Sequence, residues 1–462
     1  MAIDLLIKNG QVVIPQVGVQ QADTGVADGK IVGLYTPGAG PEAKASIDAT
    51  GLHIFPGTVD PHWHLGIYND SMAADFEAET RAAAIGGITT IVNCYRGKES
   101  YLESAPVLIE TGENHSLVDF TYTMGLLTQQ HLAELKSYIE QFGITSYKFY
   151  RNYQDDIGRI FGVSDPLTLD SADMFLILKQ FAAISDKLLL CIHCEDMDLQ
   201  RRIAKDLKAG GSENTLSYFS KTSPDFAETV SLMSALYLND VVKGNMYAVH
   251  ISAGSSIDLL EKLPHLASRG VTIETCTHYL ALTEDSPCGL LAKVNPPIHT
   301  AADAEKLWEG IRKGLVQAIG SDNCPSNRAK KYGKGEGVWE TLPGFPGAGM
   351  ILPILISEGY HRRGIPLGTI AHVTSAGVAK AFNLFPQKGA IQVGADADFA
   401  IVDLNWEREV KPELFGANDY SVYDGMKFKG WPVYTVSRGE IIMEKGQVVG
   451  SPGRGRYLRR SI

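Results

Sequence analysis

Two histidines that could hold a metal ion lie one residue apart in the stretch Asp60-Pro61-His62-Trp63-His64, which ends an apolar run beginning at Ile54. In a β-strand, residues two positions apart point to the same face, so the imidazoles of His62 and His64 would converge. Two neutral imidazoles on one strand form half of a metal site, because each ring offers one nitrogen lone pair. Taken alone, the motif is explained equally well by two histidines on a half-wet strand face.

Further candidate ligands end other apolar runs of the chain, namely Lys148, His193, His250 and Asp322. Histidines and an aspartate suit Zn²⁺ and similar divalent metals. If the runs are parallel strands of one barrel, their C-terminal ends meet at the mouth where such barrels place their chemistry. A random scatter of the chain's 12 histidines would seldom bring four of them there, which favours a metal site.

Lys148 is the unusual member of this set, because a cationic ammonium repels metal ions. A neutral lysine amine can add CO₂ and become a carbamate, whose two anionic oxygens could bridge two metals about 3.5–4 Å apart. Two metals sharing a water would lower its pKa toward about 7 and supply hydroxide at neutral pH. For Lys148 considered alone, an ordinary strand lysine with its amine in solvent is the simpler interpretation.

The elements that would position these residues are eight apolar runs separated by amphipathic stretches. The runs cover 54–65, 89–95, 119–127, 144–150, 188–195, 246–252, 271–280 and 316–322. Repeated strand–helix alternation predicts a parallel sheet, and eight such units predict an α/β fold with a (β/α)₈ TIM-like barrel. The alternative, an open doubly wound sheet, lacks a Gly-rich dinucleotide loop after its first strand.

Both ends of the chain have a different texture, with short alternating runs separated by Gly and Asp, which is typical of small antiparallel strands. We expect the two ends to pair into one small β-sandwich domain, 1–53 with 388–445, around a hydrolase barrel at 54–387. Residues 446–462 form a Gly- and Arg-rich tail with too little apolar surface to order itself.

The composition indicates a cytoplasmic globular enzyme. A net charge of −11 argues against nucleic acid or a membrane surface as partner. No apolar run is long enough to span a bilayer, and the N-terminal residues do not read as a signal peptide. The 6 cysteines lack regular spacing, which indicates reduced thiols.

The motifs, taken in order, resemble those of the amidohydrolase superfamily, and within it the cyclic amidohydrolases: dihydropyrimidinases and hydantoinases, allantoinases and dihydroorotases. The resemblance covers essentially the whole chain. It rests on Pro56-Gly57 with Asp60–His64, Ser146–Phe149, Ile192–Glu195, Val249–Ser252, Glu274–Leu280, Asn295–Pro297, Gly320–Cys324 and Tyr423–Val433.

The resemblance implies metal-dependent hydrolysis of a cyclic amide or imide C–N bond by a metal-bridged hydroxide. Its cofactors would be two divalent ions, Zn²⁺ or alternatively Mn²⁺ or Co²⁺, with a CO₂-derived carbamate on Lys148. The more buried ion would be held by His62, His64, Lys148 and Asp322, and the more exposed one by Lys148, His193 and His250. Asp322 would also take the proton of the hydroxide and pass it to the leaving nitrogen.

The resemblance also implies substrate contacts. Tyr153 falls where hydantoinases place a tyrosine that donates to the developing oxyanion, although a loop aromatic packed over the rim is the alternative. Asn295 falls where the family contacts the ring amide, and a turn residue ahead of Pro296 is nearly as good an interpretation. Gly344 lies in a segment whose backbone groups read the ring in the family.

Departures from the family pattern bear on the substrate. Dihydroorotases carry an arginine two residues after the second histidine, which holds the substrate carboxylate. This chain has Gly66 there, which disfavours that activity. Aromatic residues could line a pocket for a ring substituent or serve as core, namely Trp63, Tyr68, Tyr95, Tyr150 and Phe345.

Two other functions stay open beside ring opening of a hydantoin or dihydropyrimidine. The first is an allantoinase or a hydrolase of an unusual amide or carbamate. The second is a non-catalytic scaffold related to dihydropyrimidinases, which the complete set of six ligand positions argues against.

The resemblance implies a homotetramer acting on a small cyclic amide, because hydantoinase-like enzymes are commonly tetramers whose C-terminal tails reach a neighbouring subunit. Tyr457 and Leu458 would be the apolar anchors of that tail. The arginines around them could pair with acidic patches of the neighbour.

Overall fold

The computed structural model describes residues 3–69, 71–267 and 269–462. Within these residues, the strands form a nine-stranded mixed sheet from both ends of the chain and an eight-stranded parallel sheet from the part between them. The predicted fold class, an α/β barrel with a smaller β-domain built from both chain ends, is confirmed.

Strands β6–β13 form the barrel in chain order, each parallel to the next, and the others form the mixed sheet in the order β17-β16-β15-β14-β5-β1-β2-β3, with β4 beside β1. The strands are β1 Ile3–Ile14, β2 Gly18–Ala27, β3 Lys30–Tyr35, β4 Ala43–Asp48, β5 His53–Pro56, β6 Thr58–Trp63, β7 Ile88–Tyr95, β8 Asp119–Gly125, β9 Ser146–Phe149, β10 Leu189–His193, β11 Met246–Val249, β12 Val271–Cys276, β13 Ala318–Gly320, β14 Phe399–Glu409, β15 Lys427–Ser437, β16 Glu440–Glu444 and β17 Gln447–Val448. The mixed sheet therefore extends a few residues past the predicted boundaries at 53 and 445.

The first predicted strand, 54–65, is two strands in different sheets, divided at Gly57. The N–H of Gly57 donates to the carbonyl of Asp398 at 2.8 Å. A Cβ on Gly57 would lie 2.1 Å from Thr89 Oγ1, so no side chain fits there. The seventh predicted run is a strand only up to Cys276, and the other six runs each overlap one barrel strand.

The barrel closes where its first strand meets its last. The N–H of His64 donates to the carbonyl of Asn323 at 2.8 Å, and the N–H of Asn323 donates to the carbonyl of His62 at 3.2 Å. These bonds lie at the C-terminal ends of β6 and β13. Closure of the sheet thus draws together the strand ends that carry the candidate ligands.

Helices surround the barrel, as the amphipathic stretches predict. They are α1 Met72–Ile85, α2 Tyr101–His115, α3 Gln129–Ala133, α4 Leu135–Phe142, α5 Ile157–Phe161, α6 Ser171–Ile184, α7 Met197–Ala209, α8 Leu216–Ser220, α9 Asp225–Val242, α10 Gly254–Lys262, α11 Thr277–Ala281, α12 Ala301–Arg312, α13 Arg328–Lys331, α14 Ile351–Ile354, α15 Leu367–Ala371, α16 Gly377–Ala381 and α17 Pro412–Phe415, with 3₁₀ turns at Arg151–Tyr153 and Gly289–Ala292 and π-helical turns at Leu355–His361 and His372–Ala376. Among the described residues, none of these helices has the length and apolar character needed to cross a bilayer.

The C-terminal tail is ordered against this chain's own barrel, which corrects the expectation that it has too little apolar surface to order itself. Tyr457 bridges to Phe120 on β8, and the N–H of Leu458 donates to the carbonyl of Phe120 at 2.8 Å. Arg460 is 3% exposed and donates to Ser146 Oγ at 2.8 Å. Pairing with a strand distant in sequence supplies the order that the composition of the tail does not predict.

Candidate active site

The predicted ligands lie together at the C-terminal end of the barrel. His62 Nε2 lies 3.2 Å from His64 Nε2 and 3.0 Å from Lys148 Nζ. Asp322 Oδ1 lies 3.4 Å from His62 Nε2 and 3.1 Å from His64 Nε2. These four side chains come from the ends of three strands, β6, β9 and β13.

Two further histidines complete the cluster from the ends of β10 and β11. The ring centroids of His193 and His250 lie 4.4 Å apart. His250 also stacks on His62, with centroids 5.3 Å apart. The structure therefore brings all six predicted ligands into one buried group.

Two carboxylates that the sequence analysis left without a role fix the orientation of these rings. Glu274 Oε1 accepts from His62 Nδ1 at 2.9 Å and from the N–H of His250 at 3.0 Å. Glu195 Oε2 lies 2.6 Å from His193 Nε2. When one ring nitrogen donates to a carboxylate, the other carries the lone pair that can bind a metal. An acidic residue inside a buried strand such as β12 was the sequence feature that could have revealed Glu274.

Strained backbone turns aim two of the ligands into the barrel mouth. His250 has a φ of 42° and Asp322 a φ of 51°, both in the left-handed region that costs about 1–3 kcal/mol for a residue other than glycine. Glu274 holds the first turn through the N–H of His250, and Asp60 Oδ1 holds the second by accepting from the N–H of Ser321 at 3.1 Å. Burial raises the pKa of Asp60 to about 6.

The protonation states of the side chains in this cluster favour the binding of cations. Burial lowers the pKa of His64 to about 4, so its ring is neutral at neutral pH. Burial opposes ionisation of Asp322, but the adjacent His62 and His64 outweigh it and hold the pKa of the Asp322 carboxyl well below its ordinary value. The cluster therefore presents neutral nitrogens and a carboxylate, which are metal ligands.

The arrangement also suits a cation. His62 Nδ1 donates to Glu274, so the lone pair of His62 Nε2 faces the same space as His64 Nε2 and Asp322 Oδ1. Ligand atoms of His62, His64 and Asp322 all lie within 4.8 Å of one another. Lys148 is 1% exposed, and among the described residues no carboxylate lies within 4.0 Å of its amine to balance an ammonium. The residues present therefore fit divalent metal ions.

A cavity of about 150 Å³ opens beside the ligands, and the predicted substrate residues Tyr153, Asn295 and Gly344 all line it. Within the described part of the chain, Tyr68 and Tyr150 also line this cavity, whereas the other aromatic candidates, Trp63, Tyr95 and Phe345, do not. A cavity of this kind with a few converging polar groups is the expected form of a small-molecule site.

Tyr153 lines the cavity with its side chain, whereas Gly344 lines it with its backbone. Tyr153 ends the 3₁₀ turn that follows β9, and its ring stacks on Tyr150 with centroids 5.4 Å apart. The N–H of Gly344 donates to the carbonyl of Lys293 at 2.8 Å, and its own carbonyl accepts from Lys331 Nζ at 2.6 Å. Only the second lone pair of the Gly344 carbonyl is left for a ligand, so this residue is mainly a fixed surface.

Arg96, which the sequence analysis did not single out, also lines the cavity. It directly follows β7, and its guanidinium carbon lies 5.6 Å from the ring centroid of Tyr150 and 5.5 Å from that of Tyr153. A polar residue placed directly after a barrel strand is the same feature that identified the histidines, so the sequence did contain this information.

Comparisons with known proteins agree with this site. The model of the family described as "Amidohydrolase family" matches residues 161–442. A D-hydantoinase from Geobacillus stearothermophilus is 33% identical over 99% of this chain and 96% of its own length. An allantoinase from Deinococcus radiodurans is 31% identical, with 99% of each chain covered. The crystal structure of dihydropyrimidinase from Brevibacillus agri has a TM-score of 0.89 and 29% identity, covering 99% of this chain and 98% of that one.

Proposed function

The chain belongs to the amidohydrolase family, and we propose that it opens a cyclic amide of the hydantoin or dihydropyrimidine type by hydrolysing a ring C–N bond. The observation that carries this proposal is the convergence of six ligand side chains beside a small cavity at the barrel mouth. Two divalent ions held there would supply hydroxide at neutral pH and polarise the ring carbonyl.

The chain's own residues would move the proton and hold the ring. Asp322 Oδ1 faces His62 and His64, which leaves Oδ2 to accept a proton from the attacking water and deliver it to the leaving nitrogen. The hydroxyl of Tyr153 would donate to the oxygen that gains negative charge. The Asn295 amide would bind the amide edge of the ring from the opposite wall of the cavity.

We propose that Lys148 carries a carbamate and that the two ions are Zn²⁺, with Mn²⁺ or Co²⁺ as alternatives. The support is chemical, since a buried lysine among imidazoles lacks the carboxylate that an ammonium needs. A carbamate supplies two anionic oxygens at that position, and imidazoles with carboxylate oxygens suit these metals.

The proposed function is tested with a panel of rings and metal analysis of purified protein. We expect hydantoin or dihydrouracil to be opened by protein that carries two equivalents of divalent metal. Faster opening of allantoin would favour the allantoinase alternative, which the Deinococcus relative motivates. Absence of stoichiometric metal together with inactivity toward hydantoin, dihydrouracil, allantoin, dihydroorotate and glutarimide would refute the proposal and favour a scaffold.

We also propose a homotetramer, and an exposed apolar stripe on α9 supports it. Its members are Phe226, Val230, Met233, Tyr237 and Val241. Each is between 40% and 60% exposed, and their spacing places them on one helix face. Scattered exposed apolar residues are ordinary, but a contiguous stripe marks an interface.

Light scattering tests the assembly with one charge placed in the stripe. Tyr237→Glu should dissociate the tetramer, because an uncompensated carboxylate would be buried in the contact. Val107→Glu on α2, where Val107 is 63% exposed outside the stripe, is the matched control and should leave the mass unchanged. A monomeric wild-type protein would refute the assembly, and a tetrameric Tyr237→Glu variant would refute the role of the stripe.

We infer a cytoplasmic location from the cysteines. All 6 are free thiols, and five of them are buried. Reduced thiols are the usual state in a reducing compartment, whereas secreted chains tend to pair them.

A further inference from the structure

We propose that Arg96 selects a ring substrate that bears a carboxylate, either on the ring or at the end of a short substituent. This inference rests on the proposed ring-opening function and specifies the substrate class within it. The residue lines the cavity beside the ligand cluster, so a group bound to the guanidinium belongs to the same molecule as the ring.

Among the described residues, the guanidinium of Arg96 forms no ion pair, and it lies near the rings of Tyr150 and Tyr153. Arg363, another shielded arginine, is paired with Glu358 at 3.1 Å, and the buried Arg460 is satisfied by neutral acceptors, the Ser146 hydroxyl and the Tyr122 carbonyl. In a chain of net charge −11, an unpaired arginine inside a cavity indicates a position for an anion that the protein does not itself supply.

A second donor without an acceptor lies beside it. The hydroxyl of Tyr150 is buried, the residue being 3% exposed, and among the described residues it meets no acceptor. A carboxylate has two oxygens and could accept from the guanidinium and from this hydroxyl together.

The distance between the ligand cluster and Arg96 allows one small molecule to contact both. Lys148 Nζ lies 5.7 Å from the ring centroid of Tyr150, and the guanidinium carbon of Arg96 lies 5.6 Å from the same centroid. A five- or six-membered ring at the ligands can therefore place a short acidic substituent against Arg96. Among the described residues, Asp322 is the acidic side chain that lines this cavity, and it faces His62 and His64 instead of the guanidinium.

Arg96 also changes the conclusion drawn from Gly66. The absence of a cation after the second histidine disfavours a carboxylated ring when the sequence is considered at that position alone. The structure brings a cation into the same cavity from the end of the next barrel strand, β7. The substrate class indicated is thus a hydantoin or dihydropyrimidine bearing a carboxylate, which a guanidinium binds with two hydrogen bonds.

The test compares two rings that differ in charge and little in shape, hydantoin-5-acetic acid and hydantoin-5-acetamide. The metal-loaded wild-type protein should have the higher kcat/KM for the acid. Arg96→Gln should lower the acid-to-amide ratio of kcat/KM by roughly 10–100-fold, chiefly through KM, because charge-assisted hydrogen bonds to the substrate are lost. Arg96→Lys should retain part of the ratio. Lys98→Gln removes the same charge from an exposed position outside the cavity and should leave the ratio unchanged.

An equal loss on both rings in Arg96→Gln would overturn the proposal, because it would mean that Arg96 acts only through the position of Tyr153. If the metal-loaded wild-type protein opens neither ring, the ring-opening function fails separately. Calorimetric binding of hydantoin-5-acetic acid then decides the role of Arg96. Affinity at least tenfold weaker in Arg96→Gln than in wild type supports the proposal, and equal affinity, or absence of binding to wild type, overturns it.

Discussion

Two buried lysines lie at opposite ends of the same barrel, and their surroundings are opposite in kind. Lys388 Nζ lies 2.5 Å from Asp119, 2.6 Å from Asp398 and 3.0 Å from Asp396. Lys148 meets imidazole nitrogens instead, and among the described residues it has no carboxylate within 4.0 Å. Each lysine is 1% exposed, so neither can be solvated by water.

The partners of a buried lysine decide its chemistry. Three carboxylates outweigh the cost of burial and hold the pKa of Lys388 above its ordinary value, so its ammonium stays charged at the centre of that cluster. The three aspartates have the ligand spacing of a metal site, but an ammonium already fills it. At the other end, Lys148 faces imidazole nitrogens, and the proposed carbamate would convert it into an anionic metal ligand.

Replacing Lys148 tests the end of the barrel that holds the candidate active site. Lys148→Ala should lose metal and lower kcat by more than about 10³-fold, since hydroxide at neutral pH depends on the metals. Short-chain carboxylic acids added with metal should restore part of the rate by supplying the missing oxygens. Metal analysis and steady-state kinetics measure both effects. Full metal content with a wild-type rate would end the carbamate proposal.

Replacing Lys388 should instead cost stability. Lys388→Met removes the ion-pair partner of the buried Asp398, whereas Asp119 keeps Arg438 and Asp396 keeps Lys30. Removal of one partner of a buried pair costs about 3–5 kcal/mol of unfolding free energy. Urea unfolding measures the loss, and metal content per folded molecule should stay at the wild-type level. Lys44→Met is the control, because the side chain of Lys44 is 73% exposed in its pair with Asp4 and its loss should leave the unfolding free energy nearly unchanged. A loss of metal in Lys388→Met would show that the Lys388 cluster and the candidate active site are coupled. That result would contradict separate roles for the two buried lysines.

Replacing Asp322 tests its proposed role as the base at the end of the barrel that holds the candidate active site. Asp322→Asn should keep at least one metal and lower kcat by about 10²–10⁴-fold, because the amide cannot accept the proton. The unfolding free energy should change far less than in Lys388→Met, since the amide fills the same volume. Kinetics beside urea unfolding separates the two effects, and a rate loss below about tenfold would exclude Asp322 as the base.

Tyr153 is the mildest of these tests, because it lies on the cavity wall and not among the ligands. Tyr153→Phe should retain both metals and lower kcat by about 10²–10³-fold, the usual cost of losing one donor to a developing oxyanion. Tyr68→Phe, whose hydroxyl donates to the carbonyl of Pro343 at 2.6 Å, is a matched control on another wall. Equal losses in both variants would assign Tyr153 to packing of the wall.

The ligands were predictable from the sequence because one geometric rule covers them. Strand ends of a parallel barrel meet at one mouth, and polar residues at the ends of apolar runs mark it. Lys148 and Asp322 satisfy that rule without any knowledge of their contacts. Arg96 satisfies the same rule, because it directly follows β7.

The supporting contacts were not predictable, because they join residues with no regular spacing. Glu274 and His62 are 212 positions apart, and either would read as an isolated polar residue in an apolar strand. The division of the first run at Gly57 depends on the side chain of Thr89, which only the assembled sheets bring near. The order of the tail likewise depends on Phe120, which no local pattern near Tyr457 indicates.

The pairing of the tail with β8 has a consequence for how the protein is synthesised. Leu458 is 337 positions from Thr121 and Arg460 is 338 from Tyr122, so these strands leave the ribosome long before their partners. At about 5–20 residues per second, that delay is on the order of tens of seconds. Aromatic side chains at the base of the barrel are uncovered throughout that interval. The contacts of the tail with β8 therefore form only after residue 460 has emerged, long after the strand itself.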